Sequence, residues 1–254
     1  MAKSIRRDEL VAYLDRYLRI AEVSDSSPNG LQVEGAERVT RLAYAVDASL
    51  QTIESAVAAG AGMLVVHHGL WWGRHEQIVG NMHRRIAALI RADLSLYAAH
   101  LPLDCHPTVG NNVELARLLK LRVEVPFGEY RGTVVGVIAT GTRAMGRDAF
   151  ASLVEQKLGA APDVLPFGPA AVRRVAIVSG GGAMLGEKAA RAGCDTLFTG
   201  ESSHAAIHPA REAGINLVFG GHYATETVGL KALDRHLRRR FAVPGVFLPA
   251  PTGY

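Results

Sequence analysis

Apolar residues recur along the chain with two alternating periods. Leu10, Leu14, Tyr17 and Leu18 share one side of a 3.6-residue repeat and predict a helix near residues 7–20, which the turn-rich SDSSPNG at 24–30 ends. Short apolar runs and amphipathic segments then alternate: strand 41–46, helix 49–59, strand 62–66, helix 81–92, strand 94–99 and helix 110–120. Near-continuous apolar strands between helices are the pattern of a mainly parallel sheet covered by helices. The rhythm breaks at 123–133 (VEVPFGEYRGT). It resumes with strand 133–139, helix 147–158, strand 172–178, helix 183–192, strand 195–199, helix 204–213, strand 215–219, helix 223–240 and an extended piece at 245–248. The expected fold class is α/β, with two α/β domains whose mainly parallel or mixed sheets are covered by helices. The division is expected at 1–127 and 128–254, the C-terminal helix being able to pack back on the first domain.

One short unit recurs. Ala59-Gly60, Ala192-Gly193 and Ala213-Gly214 each stand before a short apolar run, so in each a glycine stops a helix and a strand follows. Eight residues beyond that glycine stand His68, Glu201 and His222. Residues able to bind metal or move protons therefore fall where strands end, the edge at which open α/β sheets bind ligands.

Composition narrows the classes. With 254 residues, 48% of them hydrophobic, the chain can bury a substantial core, and no window approaches the roughly 18 apolar residues of a membrane span. The start, MAKSIRRDELVAYL, reads as an amphipathic helix and not as a signal peptide, which predicts a cytoplasmic protein. Cys105 and Cys194 have no metal-ligand spacing, so neither a disulfide framework nor a thiolate zinc site is expected. A net charge of +4 is no nucleic-acid footprint, and the basic run Arg235–Arg240 closes a helix, where cations meet the negative end of its dipole.

The chemistry concentrates in three segments. VVHHGLWW places His67 and His68 at a strand end, before a glycine that permits a turn. Alone the pair reads better as two hydrogen-bonded histidines at a strand end beside a packed tryptophan. YAAHLPLDCHPTVGNN places His100, Asp104 and His106 after the next strand, where Asp104 can ligate a metal or cap a turn. GGHYATETVG places His222 and Glu226 four apart at a helix start, on one face. His67, His68, Asp104, His222 and Glu226 form a nitrogen and oxygen donor set suited to Zn, Fe, Mn or Ni. Five ligands exceed the need of one zinc, which points to two divalent ions sharing a carboxylate. His100 is a candidate for proton transfer or for orienting Asp104, and Glu201 for a base or an acceptor beside the ligands. Asp47 reads as a helix cap, and SGGGAMLG (179–186) as a phosphate cradle or a tight turn.

These four segments, VVHHGLWW, YAAHLPLDCHPTVGNN, DTLFTGESSHAAIHPAREAG and GGHYATETVG, with SDSSPNGLQVEG near the amino end, resemble the NIF-three-like proteins, also named GTP cyclohydrolase 1 type 2 homologues. The resemblance extends over nearly the whole chain and is to the short bacterial type. It implies a dinuclear metal site at His67, His68, Asp104, His222 and Glu226. It also implies a two-domain protomer assembled with itself as a toroidal homohexamer, and a hydrolase whose metal-activated water attacks a purine nucleotide ring. The alternative is a non-enzymatic metal-handling or scaffold protein that forms the same ring.

Overall fold

The computed structural model describes residues 4–73 and 76–253. In chain order the elements are β1 (Ile5–Arg6), α1 (Arg7–Tyr17), a 3-10 turn (Ile20–Glu22), β2 (Gly30–Val33), β3 (Arg38–Val39), β4 (Leu42–Asp47), α2 (Leu50–Ala58), β5 (Met63–His68), α3 (Gly80–Arg91), β6 (Ser95–Ala98) and α4 (Leu101–Asp104). There follow α5 (Asn111–Leu118), β7 (Arg122–Tyr130), β8 (Thr133–Gly146), α6 (Arg147–Leu158), β9 (Asp163–Leu165), β10 (Ala171–Val178), a 3-10 turn (Ala183–Leu185), α7 (Gly186–Arg191), β11 (Thr196–Thr199), α8 (His204–Glu212), β12 (Asn216–Phe219), α9 (His222–Phe241) and β13 (Gly245–Phe247). The fold is α/β, in two compact units: Met1–Val109 with Gly229–Ala250, and Gly110–Val228 with Pro251–Tyr254. The division thus falls at Val109/Gly110, earlier than the expected 127/128, and the first unit also contains the later turns of α9.

The shift has a local cause. Residues 122–130, which break the apolar rhythm, form strand β7 and pair antiparallel with β8 from Arg122↔Thr140 to Tyr130↔Thr133. β7 lies at the edge of its sheet and is exposed along most of its length. Pro126, Gly128 and a register shift between Val123 and Val125 interrupt it. Such features belong to edge strands and erase the alternation that reveals inner ones.

The first unit's main sheet has the order β13-β4-β5-β6-β2, with β13, β4, β5 and β6 parallel and β2 antiparallel at the edge. β4, β5 and β6 are buried almost throughout, since helices and loops cover both faces. Ala43, Ala45, Leu64, Val66, Leu96 and Ala98 interlock with Ile53 and Ala56 of α2 and Leu89 of α3. Ser49 begins α2 in a reciprocal capping box with Thr52. Asp47 is therefore no helix cap, and its carboxylate is left for another use.

The second unit's sheet has the order β7-β8-β10-β11-β12-β9. Only β10, β11 and β12 run parallel; β7, β8 and β9 pair antiparallel, so this sheet is mixed. Its core joins Phe150 and Val154 of α6 to Val175, Ile177, Phe198 and Val218 of the strands, with Phe150 and Phe198 edge to face.

The recurrent helix stop is visible as geometry. Gly60, Gly193 and Gly214 are left-handed, with φ of 68°, 77° and 66°. After each, the next residue's N–H reaches the carbonyl five residues back: Ala61 to Ala56, Cys194 to Ala189 and Ile215 to Ala210, at 3.0, 3.0 and 3.2 Å. Two further helices end the same way without glycine, at Asp93 (φ 49°) and Lys120 (φ 58°), with Leu94 reaching Leu89 and Leu121 reaching Ala116. A side chain in that conformation costs about 1–2 kcal/mol, and glycine's extra unfolded-state entropy offsets about 0.5–1 of it. Replacing exposed Lys120 by Gly is expected to stabilise the protein by about 0.5–1 kcal/mol, read as a higher urea midpoint with an unchanged slope.

Candidate metal centre

In the first unit, the parallel register of β4, β5 and β6 brings their carboxyl ends to one edge. Asp47 pairs with His68 across β4 and β5, and the N–H of Ala99, just past β6, donates to the Val66 carbonyl at 2.9 Å. Adjacent side chains of a strand point apart, so two histidines on one metal are expected only beyond a strand that ends at residue 66. The strand nevertheless runs through His68, and the two rings still lie 4.8 Å apart, tilted by 39°. Each is drawn toward a different neighbouring strand. His67 Nδ1 lies 3.0 Å from the Ala99 carbonyl, and His68 Nδ1 lies 2.8 Å from Asp47 Oδ1.

His100, directly after β6, joins them. Its ring is 5.0 Å from that of His67 and 5.6 Å from that of His68, and its Nδ1 faces Asp25 Oδ1 at 3.0 Å. A carbonyl or carboxylate only accepts, so all three imidazoles carry their proton on Nδ1, which makes Nε2 the nitrogen that bears the lone pair. Ligand atoms of His67, His68 and His100 lie within 4.8 Å of one another. An imidazole whose outer nitrogen is held by carboxylate or carbonyl is the usual form of a metal-binding histidine, oriented and made more basic. The donor set fits a divalent metal ion.

Asp104 ends the short helix α4 and is buried. The next helix, α5, has Gly110 at its cap position, so Asp104 is not capping it. Its Oδ2 stands 3.6 Å from His67 Nε2, too far for a hydrogen bond and close enough for one cation to touch both. Burial pushes the neighbouring Cys105 thiol up to about 12 and that of Cys194 to about 11, so both stay protonated at neutral pH, and nitrogen and oxygen remain the donors.

Asp25 is the member that sequence reasoning missed, since SDSSPNG reads as a turn. Burial alone would raise its carboxyl; the His100 ring, Asn29 and the Ser27 N–H outweigh that and hold it well below the usual carboxylate range. The Leu101 N–H also donates to it, at 3.0 Å. Asp25 therefore fixes both the ring of His100 and the backbone that follows it. Trp72 stands edge-on to His68 and His100 at 5.4 and 5.0 Å, and Trp71 packs against the apolar core. Gly69 matters for its size: a Cβ there would strike the Gln32 side chain, whose Oε1 accepts from the Leu70 N–H at 2.8 Å.

In the second unit, His222 is the first residue of α9, and Glu226, one turn later, is buried. His222 Nε2 lies 3.1 Å from Glu226 Oε1, and Nδ1 lies 2.9 Å from Glu201 Oε2, just past β11. The Glu226 hydrogen bond, aided by Glu201 and opposed by burial, pushes His222 up to about 9. The side-by-side histidine and glutamate that the four-residue spacing predicts are present, with Glu201 on the other side of the ring.

The glycine-rich segment after β10 backs this cluster. Gly180 has φ +61°, and a Cβ on it would overlap the Glu226 carboxylate and come within 3.1 Å of His222 Nε2. Its carbonyl accepts from Gly200 N at 2.8 Å and Glu201 N at 3.2 Å. The N–H groups of Ser179, Gly180 and Gly182 donate to Asn112 Oδ1, Thr225 Oγ1 and Thr199 Oγ1 at 2.8, 3.1 and 2.8 Å. Those amides are committed to side chains, so the segment is a close-packed support for His222 and Glu226 and not a phosphate cradle.

Residues 5–251 match the family model described as Duf34/NIF3 (NGG1p interacting factor 3). A protein of Deinococcus radiodurans named GTP cyclohydrolase 1 type 2 homolog is 45% identical over 249 residues, covering 98% of this chain and 95% of that one. A protein of the same name from Pyrococcus abyssi is 44% identical over 252 residues, covering 98% of this chain and all of its own. Among solved structures, TTHA1606 from Thermus thermophilus is similar with a TM-score of 0.90 at 43% identity, over 98% of this chain and 100% of that one.

Replacing Gly180 by Ala is expected to displace Glu226 from His222 and to destabilise the protein by about 1–3 kcal/mol, the usual range for overpacking. Thermal unfolding and the metal retained after dialysis are both expected to fall, whereas Gly132→Ala, with open space around it, should leave metal retention unchanged.

Proposed function

The chain belongs to the Duf34/NIF3 family, and we propose that it is a divalent-metal-dependent hydrolase acting on a purine nucleotide or a related ring, of the kind its relatives' names describe. The reading rests on one observation above the others: three imidazoles, each with Nδ1 held by an oxygen acceptor, present ligand atoms within 4.8 Å of one another. Apolar packing does not require that arrangement, and metal binding does.

His67, His68 and Asp104 of the first unit and His222 and Glu226 of the second are the ligands of two divalent ions, with Zn, Fe, Mn and Ni all suited to nitrogen and carboxylate donors. Bound divalent ions supply Lewis acidity, lowering the pKa of water and stabilising charge that develops on a ring. Asp47 holds the His68 ring by Nδ1 and so fixes the orientation in which Nε2 would donate to metal. His100, held on its outer nitrogen by Asp25, carries protons at Nε2, because Asp25 fixes the ring without occupying that atom. Glu201 accepts from His222 Nδ1 and so sets which of its nitrogens faces Glu226. Trp72 stands edge-on beside the His68 and His100 rings and gives that side of them an apolar neighbour.

Two measurements test this. His68→Ala and Glu226→Ala are each expected to lower metal per chain, by elemental analysis, while circular dichroism stays folded; unchanged metal content overturns the ligand assignment. Parent protein loaded in turn with Zn, Fe, Mn and Ni is then incubated with GTP and assayed for formate, the expected product of ring opening. Retained metal with no formate from any of the four overturns the cyclohydrolase activity and leaves a metal-handling protein.

A further inference from the structure

The segment 25–32, a turn leading into β2, docks on both histidine-bearing strand ends of the first unit. Gly30 and Leu31 pair with Ala98 and Tyr97 of β6, and the register shifts between Leu31 and Val33. An irregularity of that kind re-aims a side chain. Gln32, at the shift, accepts from the Leu70 N–H beyond β5 through Oε1 at 2.8 Å and donates Nε2 to the Pro28 carbonyl at 2.7 Å. The Ser27 hydroxyl meets the Trp71 carbonyl at 3.3 Å. Strand pairing, Gln32 and Ser27 thus hold the segment in place without help from His100.

Within it, the Asn29 carboxamide is used at both ends. Oδ1 accepts from the His100 N–H at 2.7 Å, while Nδ2 donates to Asp25 Oδ2 at 3.0 Å and to the Ser27 carbonyl at 3.2 Å. A flipped amide would set its NH2 against the His100 N–H and its oxygen against a carboxylate, so only one orientation satisfies the partners. Asp25 in turn accepts from the His100 ring at 3.0 Å and from the Leu101 N–H at 3.0 Å. His100 has φ −88° and ψ −104°, neither helical nor extended, and its side chain does not cap α4. Its main-chain N–H, its ring N–H and the next residue's N–H all go to Asn29 and Asp25. Its carbonyl accepts from Leu103 N at 2.9 Å and Asp104 N at 3.2 Å, so the same residue starts the helix that ends on Asp104.

We propose that Asn29 is a positioning residue of this centre: one carboxamide locks the Asp25 carboxylate against the His100 ring and the His100 main chain against the segment, which keeps the ring in its Nδ1–H form. This deepens the reading of His100 as a proton carrier and rests on it. An aspartate by itself turns among staggered rotamers and offers either oxygen. The Asn29 amide removes that freedom by claiming Oδ2, and it acts on the chemistry only through Asp25 and the main chain.

The test compares parent, Asn29→Ala and Asn29→Asp. The second variant keeps an acceptor for the His100 N–H but loses the donation to Asp25 and faces it with another carboxylate. In metal-free protein with ¹⁵N-labelled histidine, at alkaline pH where imidazoles are neutral, ring nitrogen shifts report each tautomer, with His100 identified by its loss in His100→Gln. His100 is expected to be wholly Nδ1–H in the parent and mixed in both variants, while His67 and His68, held by Ala99 and Asp47, stay Nδ1–H throughout. Metal-loaded variants are expected to release formate from GTP with kcat lowered about 10- to 100-fold, the usual cost of losing an orienting partner, at unchanged KM and metal content. An unmixed His100 in Asn29→Ala, a parent-like Asn29→Asp, or mixing at all three rings would overturn the proposal. Mixing at His100 with kcat unchanged would sustain the positioning and remove His100 from the chemistry. Mixing at His100 in a protein whose parent makes no formate would sustain it and remove the cyclohydrolase reading.

Discussion

An imidazole wholly or partly removed from water must place its ring N–H on an acceptor, and the first unit is organised around three that do, His67 buried and His68 and His100 half-buried. His67 uses the backbone of the segment after β6, His68 uses the carboxylate that ends β4, and His100 uses Asp25 from the turn after α1. Each acceptor fixes a tautomer as well as an orientation. A single consequence, the Nδ1–H tautomer, thus recurs in three side chains from two strand ends. The parallel register matters because it sets the ends of β4, β5 and β6 side by side; one residue of slip would turn His67 and His68 to the wrong neighbours.

The second unit solves a related problem by close approach. His222 enters a helix, Glu226 follows one turn later, and the backbone of 179–182 presses on both. A glycine is needed at Gly180 for two reasons, the left-handed φ and the absence of a Cβ against the Glu226 carboxylate. Gly200 is similarly confined, since a Cβ there would meet the His222 Cα and the Gly180 carbonyl at 2.7 Å. Side-chain oxygens of Asn112, Thr199 and Thr225 satisfy the amides that this tight path leaves unpaired, which allows it to be buried.

The inner strands and their helices were legible because they are strongly periodic or continuously apolar. Helix 147–158 coincides with α6, and strands 172–178 and 215–219 lie within a residue of β10 and β12. The helix-stopping glycines were legible because a left-handed residue admits few alternatives. β7 was not: an exposed edge strand with a proline and a bulge has no side-chain alternation to detect. β2, β3 and β9, of two to four residues, are too short to carry a period. The ends at Asp93 and Lys120 were hidden because neither residue is one that the conformation favours strongly.

Of the site, His222 and Glu226 could be paired from their spacing, because four residues on a helix is a distance. By itself the sequence determined the residue types at the strand ends, the absence of a thiolate donor pair and the placement of histidines after apolar runs. Only the tertiary structure decided that His67 and His68 tilt together within one strand, that Asp47 serves His68 and not a helix, that Asp25 holds His100 across 75 residues of chain, and that the glycine loop supports a carboxylate. The physical reason is common to all four. Each depends on which acceptor or surface lies opposite a side chain, and strand pairing and packing, not local periodicity, set what lies opposite.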